Sequence, residues 1–302
     1  MQPLLVILGP TASGKSSLAV ELARRLDGEI VNADALQVYR GLDVGTDKPT
    51  LEMRHRVPHH LVDVLDPDEP WSAGAFGRMA RDAIEDIRSR GLTPLVVGGS
   101  GLYLRALLEG LGPLPRSQPE VRRELEARLS SEGLPSLYAE LSRLDPETAA
   151  RLAPRDRQRI VRALEVYRIS GETMSAWLAR RTRESAPLEG LRIGLTVPRT
   201  ILYDRIADRI MEMVENGWIA EVVALLNRGI QPSVPAFQAI GYRQMVRHIM
   251  GEYSLENAVA ETVQATRRYA KRQMTWFRRE DGIRWVPGLE VEAAASTVLR
   301  FI

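Results

Sequence analysis

The amino-acid sequence predicts an α/β fold, a parallel sheet flanked by helices and interrupted by an inserted all-helical domain. Three observations predict it. Residues 4–18, LLVILGPTASGKSSL, run five apolar residues (Leu4 to Leu8) into the spacing G-x-x-x-x-G-K-S. This is the phosphate-binding pattern in the context it requires, a short buried strand before and a helix after, so the sheet is of the P-loop NTPase-like kind. Short apolar runs then alternate with helical periodicity, as in a doubly wound parallel sheet. From about residue 119 to 183 helical periodicity continues and no strand pattern is found.

The elements follow in order. Leu18, Ala19, Leu22, Ala23 and Leu26 recur at helical spacing, so a helix over 16–26 opens from the loop. A second strand, Glu29 to Asn32, delivers Asp34 at or just past its end. HHLVDVLDP reads as a third apolar strand, and a helix runs from near Ser72 to a stop at Gly91. TPLVV is a fourth strand, followed by the glycine turn Gly98–Gly101 and another helix. LRIGLTVPR is a fifth strand, and helices are expected over 200–216, 219–228, 242–250 and 254–277. The domain reading is a core of 1–115 with 186–302, interrupted by a helical insertion over 116–185. In such a sheet ligands collect outside the carboxyl ends of the strands, so Gly9 to Ser16, Asp34 and Gly98 to Gly101 should converge on one site.

Composition sets limits. The chain has 302 residues, 44% hydrophobic and 26% charged, as in a soluble globular protein. No apolar run approaches the roughly 18 residues that span a bilayer, and the first strand begins with no signal-like segment before it. Without cysteine, disulfides, thiolate zinc sites and cysteine nucleophiles are excluded. A cytoplasmic protein with no membrane partner is expected. A net charge of +2 does not by itself argue for nucleic acid. Only Lys15, Lys48 and Lys271 are lysines among 41 basic residues, which draws attention to each, because ammonium and guanidinium are not interchangeable at a phosphate.

The chemistry-bearing residues begin in the loop. Backbone N–H groups of Thr11 to Ser16 and the helix N-terminus offer partial positive charge to an anion; Lys15 adds a full charge and the Ser16 hydroxyl can ligate Mg²⁺. Asp34 can be a metal ligand, a cap for the segment after it, or a general base. Thr11 is either a turn residue or a hydroxyl aimed at a phosphate oxygen. The fourth strand ends in GGSG rather than the carboxylate of an NTPase magnesium site. Arg155, Arg159 and Arg162 share one helix face in an insertion with 14 arginines against 10 acids between 116 and 183; the face is either merely solvated or tracks phosphates. In TRRYAKRQMTWFRR the aromatics Trp276 and Phe277 read as core and part of the basic face as ligand-contacting. The four histidines lack the spacing of a transition-metal site.

GPTASGKS, NADALQVYRGLDVGTDKP, VPHHLVDV, VGGSGLYLRAL, GWIAEVVALL, AIGYRQM and TRRYAKRQMTWFRR, in this order over nearly the whole chain, resemble the bacterial tRNA dimethylallyltransferase (tRNA isopentenyltransferase) family. The resemblance implies a prenyltransferase that moves a dimethylallyl group from dimethylallyl diphosphate to N6 of adenosine 37, beside the anticodon of tRNA, with Mg²⁺. It implies that Gly9, Pro10, Thr11, Ala12, Ser13, Gly14, Lys15 and Ser16 hold the diphosphate and that Ser16 holds the metal. Asp34 would be the base, with Thr11 and Arg209 (Arg205 close behind) stabilising the leaving group. Contacts to tRNA would come from Asp34, Ala35, Leu36, Gln37, Ser100, Arg122, Gln158, Arg159, Ile160, Val161, Arg162, Arg243 and Lys271, the inserted domain gripping the anticodon stem-loop. Ala35 and Ser100 depart from the family's usual Ser and Thr. A monomer is expected. The rivals are a small-molecule kinase or adenylate isopentenyltransferase on the same fold, and an RNA-binding protein gated by nucleotide.

Overall fold

The computed structural model of the chain describes residues 2–111, 114–179 and 187–302. The expected boundary at 185–186, with Arg180, Arg181 and Arg183, lies outside them. The chain divides into two compact units, Met1–Leu108 with Leu188–Ile302, and Glu109–Pro187.

In the first unit the order is β1 (Leu5–Leu8), α1 (Lys15–Arg25), β2 (Gly28–Asn32), α2 (Leu51–Arg56), β3 (His59–His60), α3 (Ala73–Ser89), β4 (Thr93–Gly98) and α4 (Gly101–Leu108). The second unit holds α5 (Pro119–Glu132), α6 (Leu134–Leu144), α7 (Pro146–Arg151), α8 (Arg157–Ser170) and α9 (Met174–Ala179). The first unit resumes with β5 (Leu191–Thr196), α10 (Arg199–Glu215), α11 (Trp218–Asn227), α12 (Tyr242–Ile249), α13 (Leu255–Phe277), β6 (Ile283–Pro287) and α14 (Val291–Leu299).

All six strands are parallel, in the order β3-β2-β4-β1-β5-β6. The fully buried β1 lies between β4 and β5, with Leu5 opposite both Leu95 and Leu191. The chain moves from β1 to one side of the sheet through β2 and later to the other through β5. The loop after β1 therefore opens into the crevice of a topological switch point. On one face α1 and α14 bury Leu18, Leu22, Ala295 and Val298 against Leu5, Ile7 and Ile193. On the other, α3 packs on β2 and β4, and Phe76 stacks on Tyr103 of α4 at 5.0 Å. The helices α10 to α13 close around a second core of Ile206, Met213, Trp218, Phe237 and Tyr242.

Helix ends follow local chemistry. Ser72 and Ser254 cap α3 and α13 by accepting the N–H groups of Ala75 and Asn257, each at 3.2 Å. The expected third strand is cut to two residues. Leu61 and Asp63 take positive φ (60° and 56°), and Asp63 is held by Lys48 at 2.6 Å and Arg54 at 2.7 Å. The chain leaves the sheet there, and Val64 donates instead to the Val38 carbonyl at 2.8 Å. β6 and α14 were not anticipated. β6 is an edge strand in which only Val286 is buried, which removes the apolar signal. In α14, Val291, Ala294, Ala295 and Val298 do carry helical spacing.

The helical unit has its own core of Leu125, Leu137, Leu141, Ile160, Val161 and Leu164. Its fully buried Glu165 is held by Arg162 at 2.7 Å and by the Ser117 hydroxyl, with Arg122 at 3.7 Å. Arg162 also donates to the Pro115 carbonyl at 2.5 Å.

At the amino end of the sheet, buried Glu29 meets Arg90 at 2.5 Å and His60 at 2.7 Å. The hydrogen bonds from Arg90 pull its carboxyl down to about 2, against the opposing effect of desolvation. A depressed carboxyl stabilises the fold above its ordinary pKa, and that contribution is lost as pH falls toward the folded value. Thermal melts of wild type and Glu29→Gln should therefore differ most near pH 6, by up to about 3 kcal/mol. The difference should shrink steadily from pH 4.5 to pH 2.

Candidate active site

The loop between β1 and α1 turns back beneath the amino end of α1, with Gly14 at φ 88° and Ala12 at φ 61°. Gly9 and Pro10 are buried behind it. Ser13 is also fully buried, its Oγ without a hydrogen-bond partner and about 3.1 Å from where a Cβ on Gly9 would lie. Ser13 thus faces the loop's own backbone. Thr11 to Ser16 line a polar cavity of about 460 Å³.

One expectation about this loop needs correction. The Thr11 N–H does not face an anion, because it donates to Gln273 Oε1 at 3.0 Å. Gln273 of α13, nearly buried, spends its other end on the Gly99 carbonyl at 2.9 Å. One amide therefore joins the loop after β1 to the turn after β4. A side chain at 99 would overlap that amide, so the glycine there is a matter of space.

Lys15 Nζ donates to the Pro10 carbonyl at 2.6 Å. Desolvation pushes the ammonium down to about 8, helped by repulsion from Arg209 and opposed by Asp34 and Asp47. Arg209 of α10 donates to Thr11 Oγ1 at 3.2 Å and lies 3.4 Å from the Asp47 carboxylate. Thr11 therefore presents its hydroxyl beside a guanidinium. Arg205 also lines the polar cavity, one turn earlier on α10.

Asp34 follows β2. Its Oδ1 accepts the N–H groups of Leu36 at 2.8 Å and Gln37 at 3.4 Å, an Asx turn that fixes the segment 34–37. Oδ2 carries no hydrogen bond among the described residues. Asp34 is thus both a cap and a carboxylate with one oxygen to spare. Gln37 donates through Nε2 to the carbonyls of Thr46 at 3.0 Å and Asp47 at 3.1 Å.

A second cavity, about 300 Å³, adjoins the first and is mainly apolar, with Ala35, Leu36, Ile206, Met213, Trp218 and Ile240 in its walls. The two share Thr11, Ala12, Asp34, Thr46, Arg209 and Tyr269. Burial, then the charge on Asp34, pushes the Tyr269 hydroxyl up to about 12, so it stays a neutral donor at physiological pH.

The other sequence-predicted residues lie outside these cavities. Ser100 is half-buried at the start of α4, while Arg243 on α12 and Lys271 on α13 are exposed. Phe277 is core, and Trp276 lies beneath Arg105 at 4.7 Å. In the helical unit only Gln158 and Arg159 of the expected run are exposed. Ile160 and Val161 are fully buried in its core, and Arg162 and Arg122 are turned toward Glu165. Burial of Ile160 and Val161 corrects the expectation that these two face RNA, whereas Arg122 and Arg162 pair with Glu165 and keep part of their side chains exposed. Arg155 precedes α8 and is not on its face. Gln273, Tyr269, Thr46 and Asp47 were missed, although Thr262, Thr266, Tyr269 and Gln273 recur at i, i+4, i+7 and i+11 along one face of α13.

A phosphate loop at the switch point of a parallel sheet, with a carboxylate where a polar and an apolar cavity meet, defines a P-loop enzyme built for group transfer. The IPP transferase family pattern matches residues 37–280, and that of the isopentenyl transferases matches 2–57. The tRNA dimethylallyltransferase of Geobacter metallireducens is 48% identical over 99% of this chain and 97% of its own; that of Methylococcus capsulatus is 47% identical over 99% and 98%. The crystal structure of the tRNA isopentenylpyrophosphate transferase of Bacillus halodurans superposes with a TM-score of 0.73 at 39% identity, covering 100% of this chain and 95% of that one. A eukaryotic dimethylallyltransferase solved acting on tRNA superposes at 0.83 with 28% identity, over 99% of this chain and 78% of that one. The chain belongs to the tRNA dimethylallyltransferase family of prenyltransferases.

Lys15 generates a pH prediction. An alkyl diphosphate is fully ionised above about pH 7.5, since the last phosphate ionisation lies near 6. Were one to bind at this loop it would favour charged Lys15, so affinity should hold below pH 8 and fall as pH rises past it. Calorimetric titration from pH 7 to 10 measures this, and Lys15→Arg should flatten the profile.

Proposed function

We propose that this chain transfers a dimethylallyl group from dimethylallyl diphosphate to N6 of adenosine 37 in the anticodon loop of tRNA. The observation that supports this most directly is the position of Asp34, in the wall shared by the polar and the apolar cavity. The polar cavity takes the diphosphate on the N–H groups of residues 12–16 and on Lys15. The apolar side suits the hydrocarbon group and an adenine drawn out of its stack, which an anticodon loop makes less costly.

In the transfer, N6 forms a bond to C1 of the dimethylallyl group while the C1–O bond breaks and the electron pair leaves on the diphosphate. The N6 lone pair is delocalised into the ring, so a base that takes its proton helps by about 10²–10⁴-fold. On this reading Asp34 Oδ2 takes that proton, its partner oxygen being held by the Asx turn. Thr11, Lys15 and Arg209 stabilise the charge that grows on the diphosphate.

Among the described residues no cluster of three His, Asp or Glu side chains could hold a metal. A Ser16 hydroxyl on the floor of the polar cavity fits an ion held largely by phosphate oxygens and water, as is usual for Mg²⁺. Bound there, Mg²⁺ supplies positive charge to the leaving diphosphate. Among the described residues no helix is long and apolar enough to cross a membrane, and the reading has the protein act as a cytoplasmic monomer. The helical unit contacts tRNA through its exposed basic residues.

Nucleoside mass spectrometry of unmodified bulk tRNA, incubated with the protein, dimethylallyl diphosphate and Mg²⁺, tests the reading. An adenosine heavier by one dimethylallyl group is expected. ATP consumption without that product would point to a kinase. Asp34→Asn should reduce turnover at least about 10²-fold while tRNA affinity stays within about tenfold. A filter-binding assay run beside the kinetics separates the two effects.

The exposed arginine face makes a further distinction. Arg159→Glu should weaken tRNA binding and lower its salt dependence by roughly one unit of slope. Arg162→Glu should instead lower the melting temperature, because it places two carboxylates together at buried Glu165.

A further inference from the structure

Glu221 of α11 lines neither cavity. It nevertheless accepts three successive backbone N–H groups, from Asp43 at 2.7 Å, Val44 at 2.6 Å and Gly45 at 3.3 Å, and the hydroxyl of Tyr242 at 2.6 Å. The residues so held open the short 3₁₀ turn Val44–Thr46. The indole of Trp218, on the same helix as Glu221, packs so tightly on Gly45 that a side chain there would overlap it. At the far end Lys48, its side chain 2% exposed, donates to the Asp43 carboxylate at 2.5 Å, Asp63 at 2.6 Å and the Tyr39 carbonyl at 2.7 Å.

Between these two grips the chain offers three groups to the site. The Thr46 and Asp47 carbonyls hold the Gln37 amide. The Asp47 carboxylate stands 3.4 Å from Arg209, whose other contact is the Thr11 hydroxyl. Asp47 adopts φ 53°, a left-handed conformation that is uncommon outside glycine and that aspartate tolerates better than most. A carboxylate is suited to this task because it can accept all four donors. A carboxamide would turn one N–H₂ toward them.

We propose that Glu221 is a positioning residue for prenyl transfer, holding the 43–47 segment so that Asp47 aims Arg209 at the diphosphate. The inference rests on the functional reading above and adds to it a residue that touches neither substrate. A contact chain of this kind predicts energetic coupling, which a general loss of stability does not.

The test is a double-mutant cycle read by calorimetry with inorganic diphosphate and Mg²⁺. Glu221→Gln should weaken diphosphate binding about tenfold in the wild-type background and less than about twofold when Arg209 is already Gln. Tyr242→Phe removes one donor and keeps the backbone grip, so it should fold and give a smaller effect with the same dependence on Arg209. Equal weakening in both backgrounds, or none in either, would overturn the proposal. A wild-type protein that binds no diphosphate would remove the functional reading, and the inference with it.

Discussion

The Gln273 amide ties the backbone of the loop after β1 to the turn after β4, and the shape of that loop depends on it. Peptide groups in a loop of this kind have no strand or helix partner of their own, and a buried unpaired donor costs about 1–3 kcal/mol. Gln273 satisfies Thr11 N–H and the Gly99 carbonyl together, so the ends of β1 and β4 behave as one rigid rim. Once Thr11 is fixed, its hydroxyl has a defined position for Arg209, and Arg209 has a defined position beside Asp47. That bridge sets the Thr11 side of the site, while the 34–37 and 43–47 segments are held by their own contacts through Asp34, Glu221 and Lys48.

Electrostatics divides the site into two halves that meet at Asp34. Lys15 and Arg209 repel one another across the polar cavity, and part of the depressed ammonium of Lys15 comes from that repulsion. On the proposed reading, a diphosphate placed between them would offset that repulsion. On the apolar side few charges enter the wall, and Asp34 raises the Tyr269 hydroxyl instead of being neutralised by it. Asp34 and Arg209 both stand in the wall that the two cavities share.

Much of this was legible in the sequence because it depends on local pattern. Leu5 to Leu8 followed by Gly14-Lys15-Ser16 specify strand, loop and helix within one short segment, and the helices α10 to α13 fall within a residue or two of where their apolar spacing placed them. What was misread depends on distant partners. HHLVDVLDP has the composition of a strand, but Lys48 and Arg54 pull Asp63 out of the sheet. β6 lacks an apolar run because one strand edge is unpaired and only Val286 is covered. Arg162 shares a helix face with Arg159 on paper, yet buried Glu165 three residues later captures it. Of the three readings left open for Asp34, the cap is seen at Oδ1, and the proposed base would use the other oxygen. Gln273 escaped notice because a lone amide among basic residues gives no signal of what it bridges.

The scarcity of lysine has a consequence for labelling chemistry. Apart from an α-amino terminus the protein holds three primary amines, and their surroundings sort them. Lys48 is sealed among carboxylates, and Lys271 stands in solvent. Burial pushes the Lys15 ammonium down to about 8, and a neutral amine is the form that attacks an acylating reagent. The phosphate site thereby carries its own chemical reporter, an intrinsic nucleophile that a bound diphosphate would both cover and recharge.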